Sequence, residues 1–183
     1  LAFSMQMALV LVLGTAMATA PPVKRLLDKI AGVAKTPFSA IVLVTVVGTV
    51  ASWLNWGFGV VVGALLAKSI AKKVKGVDYR LLIASAYSGF VVWHAGLSGS
   101  IPLTITEVTE AVTAATGGAL TESIGMDRTV LSPWNLIACL IILILMPLLN
   151  AKMHPAANEV VTVDPKLLVE EEVTVRKAST PAE

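Results

Sequence analysis

An otherwise apolar run from Leu81 to Leu103 is interrupted by Trp93-His94-Ala95-Gly96-Leu97-Ser98-Gly99-Ser100-Ile101-Pro102. The glycines, serines, histidine and proline of this stretch predict a break in a helix that would otherwise cross a membrane. Lipid offers no hydrogen-bond partners, so irregular backbone at bilayer depth is tolerated only inside protein or along a cavity. A broken helix of this kind indicates the binding site of a membrane transporter.

The composition of the whole chain is that of a membrane protein. Its mean hydropathy is +0.81, and 56% of its residues are hydrophobic while only 14% are charged. Soluble globular domains carry about 25% charged residues. The net charge of +2 does not indicate nucleic-acid binding, because the basic residues follow membrane topology instead of forming one basic face. Cys139 is the single cysteine, so we expect a buried thiol and neither a disulfide nor a multi-cysteine metal site within the chain.

Long uncharged runs predict an all-α integral membrane protein, with a transmembrane domain over 1–152 and a cytoplasmic polar segment over 153–183. In chain order we predict a first span over 1–20, a hairpin over 37–75, a broken span over 79–103, an external segment over 104–133 and a last span over 134–149. A signal peptide is the alternative for the first run, although no basic residues precede it. Within the polar segment, Asp164-Pro165 predicts the start of a short helix that continues through Glu172.

The predicted hairpin has its tip at Asn55-Trp56-Gly57-Phe58-Gly59, and both of its arms end in lysine-rich segments. Its apolar second arm, Gly57 to Ala67, would be only about 16 Å long as a helix. We therefore predict a re-entrant hairpin whose tip turns within the membrane, and a tight pair of full spans is the alternative. With a cytoplasmic basic linker at 24–35, only Arg128 of the 14 lysines and arginines lies outside, which agrees with the positive-inside rule.

The two breaks supply hydrogen-bond donors without a fixed charge. Free N–H groups at a restarting helix favour an anion, and glycines let the backbone approach a ligand closely. Such a site can hold a small carboxylate without a cation buried in lipid. The candidate substrate-binding residues are Asn55, Trp56, Gly57, Gly59, His94, Gly96, Ser98, Gly99 and Ser100.

Each of these side chains also has a structural interpretation that stays open. The glycines can serve close helix packing alone. His94 is the one ionisable side chain within a predicted span, and it is either a functional group or a neutral structural histidine. Trp53, Trp56 and Trp93 either line a pocket for a short alkyl chain or anchor the protein at the membrane interface.

The sequence contains no recognisable catalytic set. No acidic residue lies within a predicted span, which argues against a carboxylate pair and against a carboxylate cage for a metal. The stretch Gly96-Leu97-Ser98-Gly99-Ser100 departs from the hydrolase elbow in the placement of its glycines. We therefore expect neither an enzyme nor a bound cofactor or metal.

Several stretches of the chain resemble the bacterial short-chain fatty acid transporter family. The most specific are Asn55-Trp56-Gly57-Phe58-Gly59-Val60-Val61-Val62-Gly63-Ala64, Leu97-Ser98-Gly99-Ser100-Ile101-Pro102-Leu103 and Val163-Asp164-Pro165-Lys166-Leu167-Leu168. Phe3-Ser4-Met5-Gln6-Met7-Ala8-Leu9 and Ala20-Pro21-Pro22-Val23-Lys24 are also similar. The likeness covers nearly the whole chain and is weakest across 104–133.

The resemblance implies a multi-pass protein of the bacterial inner membrane that takes up monocarboxylates such as acetoacetate or butyrate. It also implies a fold similar to one inverted repeat of the ion-transporter superfamily, in which each repeat carries a re-entrant hairpin and a broken helix. Members of the family are longer, and this chain starts at Leu1 inside a hydrophobic run, so we expect a fragment. The resemblance transfers no residue role, and the candidate site remains an inference from the residues.

These observations together predict a secondary transporter that works by alternating access and is coupled to a proton or Na⁺. Its expected partners are a small monocarboxylate, the coupling ion and the lipid bilayer, with homo-oligomerisation left open and no nucleic acid. The alternative from another class is a membrane-embedded scaffold or partner-binding subunit that does not itself transport. In that case the two breaks would serve helix packing.

Overall fold

The computed structural model describes residues 2–168, a part of the chain that is helical and contains no β-strand. Its α-helices are α1 (Ala2–Thr19), α2 (Pro21–Ala31), α3 (Pro37–Leu54), α4 (Trp56–Lys73), α5 (Tyr79–Ser88), α6 (Ser100–Thr104), α7 (Glu110–Ala115) and α8 (Pro133–Lys152). Short 3₁₀ helices cover Gly89–Ala95, Met126–Arg128 and Pro165–Leu168. The predicted all-α class is confirmed for this part of the chain.

Three segments within residues 2–168 are long and apolar enough to cross a membrane. They are Pro37–Leu54, Tyr79–Thr104 and Pro133–Lys152, which correspond to the first arm of the predicted hairpin, the broken span and the last span. The predicted first span also forms a helix, α1, of 18 residues. The division into a transmembrane domain and a polar segment stays a prediction.

Two adjoining helices, α3 and α4, form the predicted hairpin and meet at a single residue, Asn55. The capping box between Thr36 and Ser39 starts α3, with Pro37 in its first turn. Asn55 has extended backbone (φ −153°, ψ 122°), which ends α3, and its side chain then caps α4 by accepting a hydrogen bond from the Phe58 N–H. One residue therefore both breaks the first arm and starts the second.

Helix α4 is longer than its apolar stretch, the predicted second arm Gly57 to Ala67. Helix α4 continues through the lysines to Lys73 and has 18 residues, as many as α3, so each arm is about 27 Å long. Lysine is a good helix former whose long side chain can reach toward a membrane surface, so Lys68 and Lys72 do not end the helix. Within residues 2–168, α4 is not among the segments that are both long and apolar enough to cross a membrane. The re-entrant hairpin and its alternative, a tight pair of full spans, both stay predictions.

The core lies around α3, which packs against α4, α5, the first 3₁₀ helix and α8. Its largest fully buried apolar side chains include Ile41, Leu66 and Ile70. Small residues bring the backbones together: a Cβ on Gly48 would lie 2.7 Å from the Ala86 carbonyl oxygen. Such close approach is the usual way in which helices associate within membranes.

The basic segments of the chain gather at one end of the bundle. The Asp28 carboxylate accepts a hydrogen bond from the Ser69 hydroxyl, which ties α2 to α4. The His154 Nε2 accepts the Asp78 N–H at 3.1 Å, which ties the segment after α8 to the start of α5. We call this end, comprising residues 24–35, 68–80 and 152–161, the basic end. Its composition agrees with the predicted cytoplasmic side.

Residues 105–132 contain little regular structure, only α7 and the turn Met126–Arg128, as expected for the predicted external segment. In the polar segment, the Asp164 carboxylate accepts the Lys166 N–H at 2.9 Å just as the 3₁₀ helix Pro165–Leu168 begins. The short helix predicted there thus starts at the expected position. Its continuation over 169–172 lies outside the described residues.

Candidate functional site

The two predicted breaks meet in space, although Trp56 and Ser98, which are in contact, lie 42 residues apart in sequence. The Leu97 N–H donates to the Trp53 carbonyl oxygen at 2.8 Å, and the Trp56 N–H donates to the Ser98 Oγ at 3.0 Å. Each break thus supplies the hydrogen-bond partner that the other lacks. We call this arrangement of residues 53–59 and 94–100 the junction.

Glycines of the second break allow the close contact at the junction. A Cβ on Gly96 would lie 2.2 Å from the Trp53 carbonyl oxygen, and one on Gly99 would lie 2.5 Å from the His94 carbonyl oxygen. Both distances are far below van der Waals contact between a carbon and an oxygen. Packing is therefore a sufficient reason for glycine at both positions, and a part of Gly96 and Gly99 in substrate binding stays a prediction.

Glycines of the first break are also packed against other backbone. A Cβ on Gly59 would lie 2.4 Å from the Ser52 Oγ of α3. Gly57 is buried and faces α1, where a Cβ on Gly14 would come within 3.0 Å of the Gly57 carbonyl carbon. These glycines let α4 lie against its two neighbours.

Most hydrogen-bond donors of the first break already have partners. Besides the Trp56 N–H, the Phe58 N–H donates to the Asn55 Oδ1 and the Gly59 N–H to the Asn55 carbonyl oxygen. At the second break the restarting helix α6 has only five residues, so its dipole is weak. The helix termini thus have fewer free N–H donors for a carboxylate than the sequence predicted. An anion site built on them stays a prediction.

Aromatic rings form a connected surface on one side of the junction. Trp56 meets Phe90 and Trp93 edge to face, with centroids 6.2 and 5.9 Å apart, and Phe90 stacks on Trp93 at 5.3 Å. His94 is exposed, and the centroid of its ring lies 3.7 Å from the centroid of the Trp93 ring. The predicted site residue Ser100 is exposed as well, at the start of α6.

Sequence reasoning missed two asparagines of α8: Asn135 bonds to the junction, and Asn150 attaches α8 to α3 and α5. The Asn135 side chain donates to the carbonyl oxygens of Ala95 and Val130, at 2.9 and 2.8 Å. The Asn150 side chain donates to the Thr45 Oγ1 at 3.2 Å and to the Ser88 Oγ at 2.8 Å. An asparagine within or at the edge of an apolar span is costly unless it is paired, which was the signal available in the sequence.

An apolar pocket of about 220 Å³ adjoins the junction, between α3, the first 3₁₀ helix and α8. Trp53 and Cys139 lie in its wall. The Trp53 Nε1 is buried and has no hydrogen-bond partner among the described residues. Sequence reasoning noted both side chains without placing them in one cavity.

The junction lies at the end of the bundle opposite the basic end. Helix α3 alone separates the two by about 27 Å, close to the roughly 30 Å of bilayer hydrocarbon. Asn135, in the first turn of α8, lies at the same end of the bundle, since its side chain donates to the Ala95 carbonyl oxygen. The helix lengths therefore favour a position of the junction near one membrane face, and its depth stays a prediction.

Comparison with known proteins gives one consistent result. The family described as "Short chain fatty acid transporter" matches residues 1–182. A "Putative short-chain fatty acid transporter" of Escherichia coli (strain K12) is 46% identical over 175 residues, which cover 93% of this chain and 38% of that protein. A protein of the same name from Haemophilus influenzae (strain ATCC 51907 / DSM 11121 / KW20 / Rd) is 41% identical over 179 residues, covering 92% and 38%. The chain thus spans 38% of the length of these curated relatives, and no solved structure matches it.

Proposed function

The chain belongs to the short-chain fatty acid transporter family, and from that premise we propose that the whole protein is a secondary transporter for small monocarboxylates such as butyrate or acetoacetate. The family and both relatives are transporters by description and not enzymes. The proposal places the protein in the bacterial inner membrane as a multi-pass carrier. It works by alternating access, driven by a proton or Na⁺ gradient.

The observation that carries this proposal is the junction itself. Two interrupted helices meet there and supply each other's hydrogen-bond partners, and discontinuous helices are a feature of transporter binding sites. We propose that Asn55, Ser98 and their neighbours at the junction contact the substrate. The hairpin of α3 and α4 and the broken helix would then form one inverted repeat, with the other repeat in the rest of the protein.

Uptake of labelled butyrate and acetoacetate into vesicles that contain the full-length protein tests the proposal. Uptake above that of empty vesicles, enhanced by an imposed proton or Na⁺ gradient, is expected. Absence of uptake for every short acid tried would refute the function. Comparison of the two gradients identifies the coupling ion.

Serine substitutions test the site separately from the function. Ser100→Ala removes a hydroxyl that is exposed beside the junction, so it should lower uptake without lowering thermal stability. Ser98→Ala also removes the acceptor of the Trp56 N–H and should lower both. Normal uptake by both variants, at equal amounts in the membrane, would exclude these serines from the site.

A second candidate function is a scaffold or partner-binding subunit without transport. Packing contacts account for the glycines of both breaks, which is what a purely structural junction requires. Asn55→Cys and Ser98→Cys distinguish the two functions in the full-length protein. Butyrate should slow the reaction of both cysteines with small aqueous thiol reagents if the junction binds the substrate, and should leave it unchanged if the junction is purely structural.

A further inference from the structure

Helix α2 lies at the basic end, between the end of α1 and the start of α3. Ala20 has non-helical backbone (φ −57°, ψ 140°), so α2 does not continue α1. The Asp28 carboxylate accepts the Ser69 hydroxyl, and the Lys73 Nζ donates to the Asp28 carbonyl oxygen. These bonds hold α2 beside the last turns of α4, where the predicted spans α1 and α3 would meet the membrane surface.

Two exposed cationic side chains lie on the side of α2 that faces away from α4. Leu27 and Ala31 are buried on the opposite side, which packs against α4. Arg25 and Lys29 are exposed, and their spacing of four residues makes them neighbours on the helix surface. Within residues 2–168, neither side chain forms a hydrogen bond or an ion pair. Their charges are therefore available to an anion from outside this part of the chain.

Exposed apolar side chains border these cations. Leu26 is 56% exposed, and Val33 is 70% exposed. The Val33 N–H donates to the Ile30 carbonyl oxygen, so the chain still turns there, and Val33 lies two turns after Leu26 on the same side. Lys29 is three residues from Leu26 and lies beside it. Such an apolar strip is costly in water, whereas the acyl region of a membrane accepts it.

A phospholipid matches both parts of this surface. Its acyl chains suit Leu26 and Val33, and its phosphate suits Arg25 and Lys29. The match is closest for an anionic headgroup, because a zwitterionic headgroup brings a cation of its own and gains less from two basic side chains. A soluble anion would leave the apolar side chains uncovered. Amphipathic helices with this division of residues lie in the interface of a membrane.

We propose that α2 is an interfacial helix that binds anionic phospholipid of the adjoining leaflet. Arg25 and Lys29 bind the headgroup phosphate, while Leu26 and Val33 contact the acyl chains. Because Asp28 attaches α2 to α4, the bound lipid also stabilises the basic end of the bundle. The inference concerns the lipid that the protein binds and does not depend on which acid it transports.

Lipid binding by the purified full-length protein in detergent tests the proposal. Phosphatidylglycerol should raise the midpoint of thermal unfolding more than phosphatidylcholine with the same acyl chains. In titrations followed by native mass spectrometry, the double variant Arg25→Gln and Lys29→Gln should bind phosphatidylglycerol about thirtyfold more weakly. The double variant Arg128→Gln and Lys166→Gln is the matched control, because it removes the same charge from exposed positions outside α2. It should leave the lipid preference unchanged.

A nitroxide label at position 33 tests the acyl contact independently. In vesicles that contain the full-length protein with Val33→Cys as its only cysteine, the label should collide with oxygen dissolved in the lipid and not with a water-soluble nickel complex. The control is Asn158→Cys, at an exposed position of the polar segment, whose label should collide with the nickel complex. A label at position 33 that meets the nickel complex as readily as this control would overturn the acyl contact.

The outcomes separate this inference from the proposed function. Equal stabilisation by phosphatidylglycerol and phosphatidylcholine would refute recognition of the headgroup. An effect of inorganic phosphate equal to that of phosphatidylglycerol would identify a soluble anion in place of the lipid. A label at position 33 shielded from both reagents would identify another part of the protein as the cover of this surface. Each of these results refutes the inference without affecting the transport function, whereas absence of uptake refutes the function alone.

Discussion

At the scale of single residues, Gly96 is the position where the junction has least room. An added methyl group would meet the backbone of Trp53, which cannot rotate away as a side chain can. Gly96→Ala should therefore separate the two breaks and destabilise the protein by about 2–3 kcal/mol, as overpacking in a core does. The midpoint of thermal unfolding in detergent measures the effect.

Gly32→Ala provides the control for this prediction. Gly32 ends α2 with ordinary helical dihedral angles (φ −69°, ψ −14°), and the nearest atom to an added Cβ is 3.2 Å away. We expect a change of unfolding midpoint much smaller than that of Gly96→Ala. Equal effects of the two substitutions would show that close contact at the junction is not what makes Gly96 necessary.

At the scale of elements, Asn150 attaches α8 to the rest of the bundle. Helix α8 is mostly exposed, and its Asn150 side chain bonds to Thr45 of α3 and Ser88 of α5. Asn150→Leu should remove both bonds and lower stability by about 1 kcal/mol, the usual size of such interhelical bonds within membranes. Unfolding midpoints and crosslinking between α8 and α3 measure the loss, with the exposed Asn158→Leu as control.

A second attachment at this scale joins the segment after α8 to the start of α5 through Asp78. Burial acts to raise the pKa of this carboxyl group, but hydrogen bonds from Arg80, Val161 and Leu81 outweigh it and hold the pKa well below its usual range. The ionised form is therefore favoured by folding. Its contribution to stability is complete above about pH 4, the usual pKa of aspartate, and is lost as the pH falls further.

Asp78→Asn tests this attachment. The variant should lose about 2 kcal/mol at neutral pH and should lack the part of the acid sensitivity below pH 4 that Asp78 causes. Hydrogen exchange of the Val161 amide, which donates to the Asp78 Oδ2 at 2.9 Å, should also become faster. The control is Asp164→Asn: this exposed carboxylate accepts the Lys166 N–H, and its substitution should change neither measurement.

At the scale of the whole molecule, the bundle has a basic end and an opposite end that carries the junction. Helix α3 separates the ends and is long and apolar enough to cross a membrane, whereas α4 has the same length but ends in lysines. If α4 also crosses, Asn55 lies at the far membrane face. Asn55→Cys should then react with a membrane-impermeant thiol reagent applied from the side opposite the lysines. A Lys75→Cys variant should react only from the other side.

The opposite result would support the re-entrant hairpin. If the cysteine at position 55 reacts only from the side of the lysines, or only with small reagents that enter a cavity, the tip turns within the membrane. The remaining 62% of the relatives' length, which this chain does not cover, would then be expected to line the other side of that cavity. A full-length protein is required for either result.

The amino-acid sequence alone determined where helices form and where they break. Apolar runs of span length predict helices in any context that excludes water, and Asn55 and Gly96–Gly99 interrupt them through their local preferences. The charge pattern likewise indicated which ends lie together, because lysine and arginine avoid hydrocarbon wherever they occur. These are properties of short stretches, and the helices and the basic end of the structure agree with them.

Tertiary structure alone decided which groups meet. Hydrogen bonds join Leu97 to Trp53, Asn135 to Ala95, and Asn150 to Thr45 and Ser88, across 40 or more positions of sequence. The pocket likewise brings Trp53 of α3 beside Cys139 of α8. Tertiary packing also extends α4 through Lys68 and Lys72 to Lys73. Contacts with α2 and α3 stabilise this part of the helix, which hydropathy alone does not predict. Local sequence preferences determine whether a segment is helical. Hydrogen-bond partners and cavities instead depend on how the helices pack against one another.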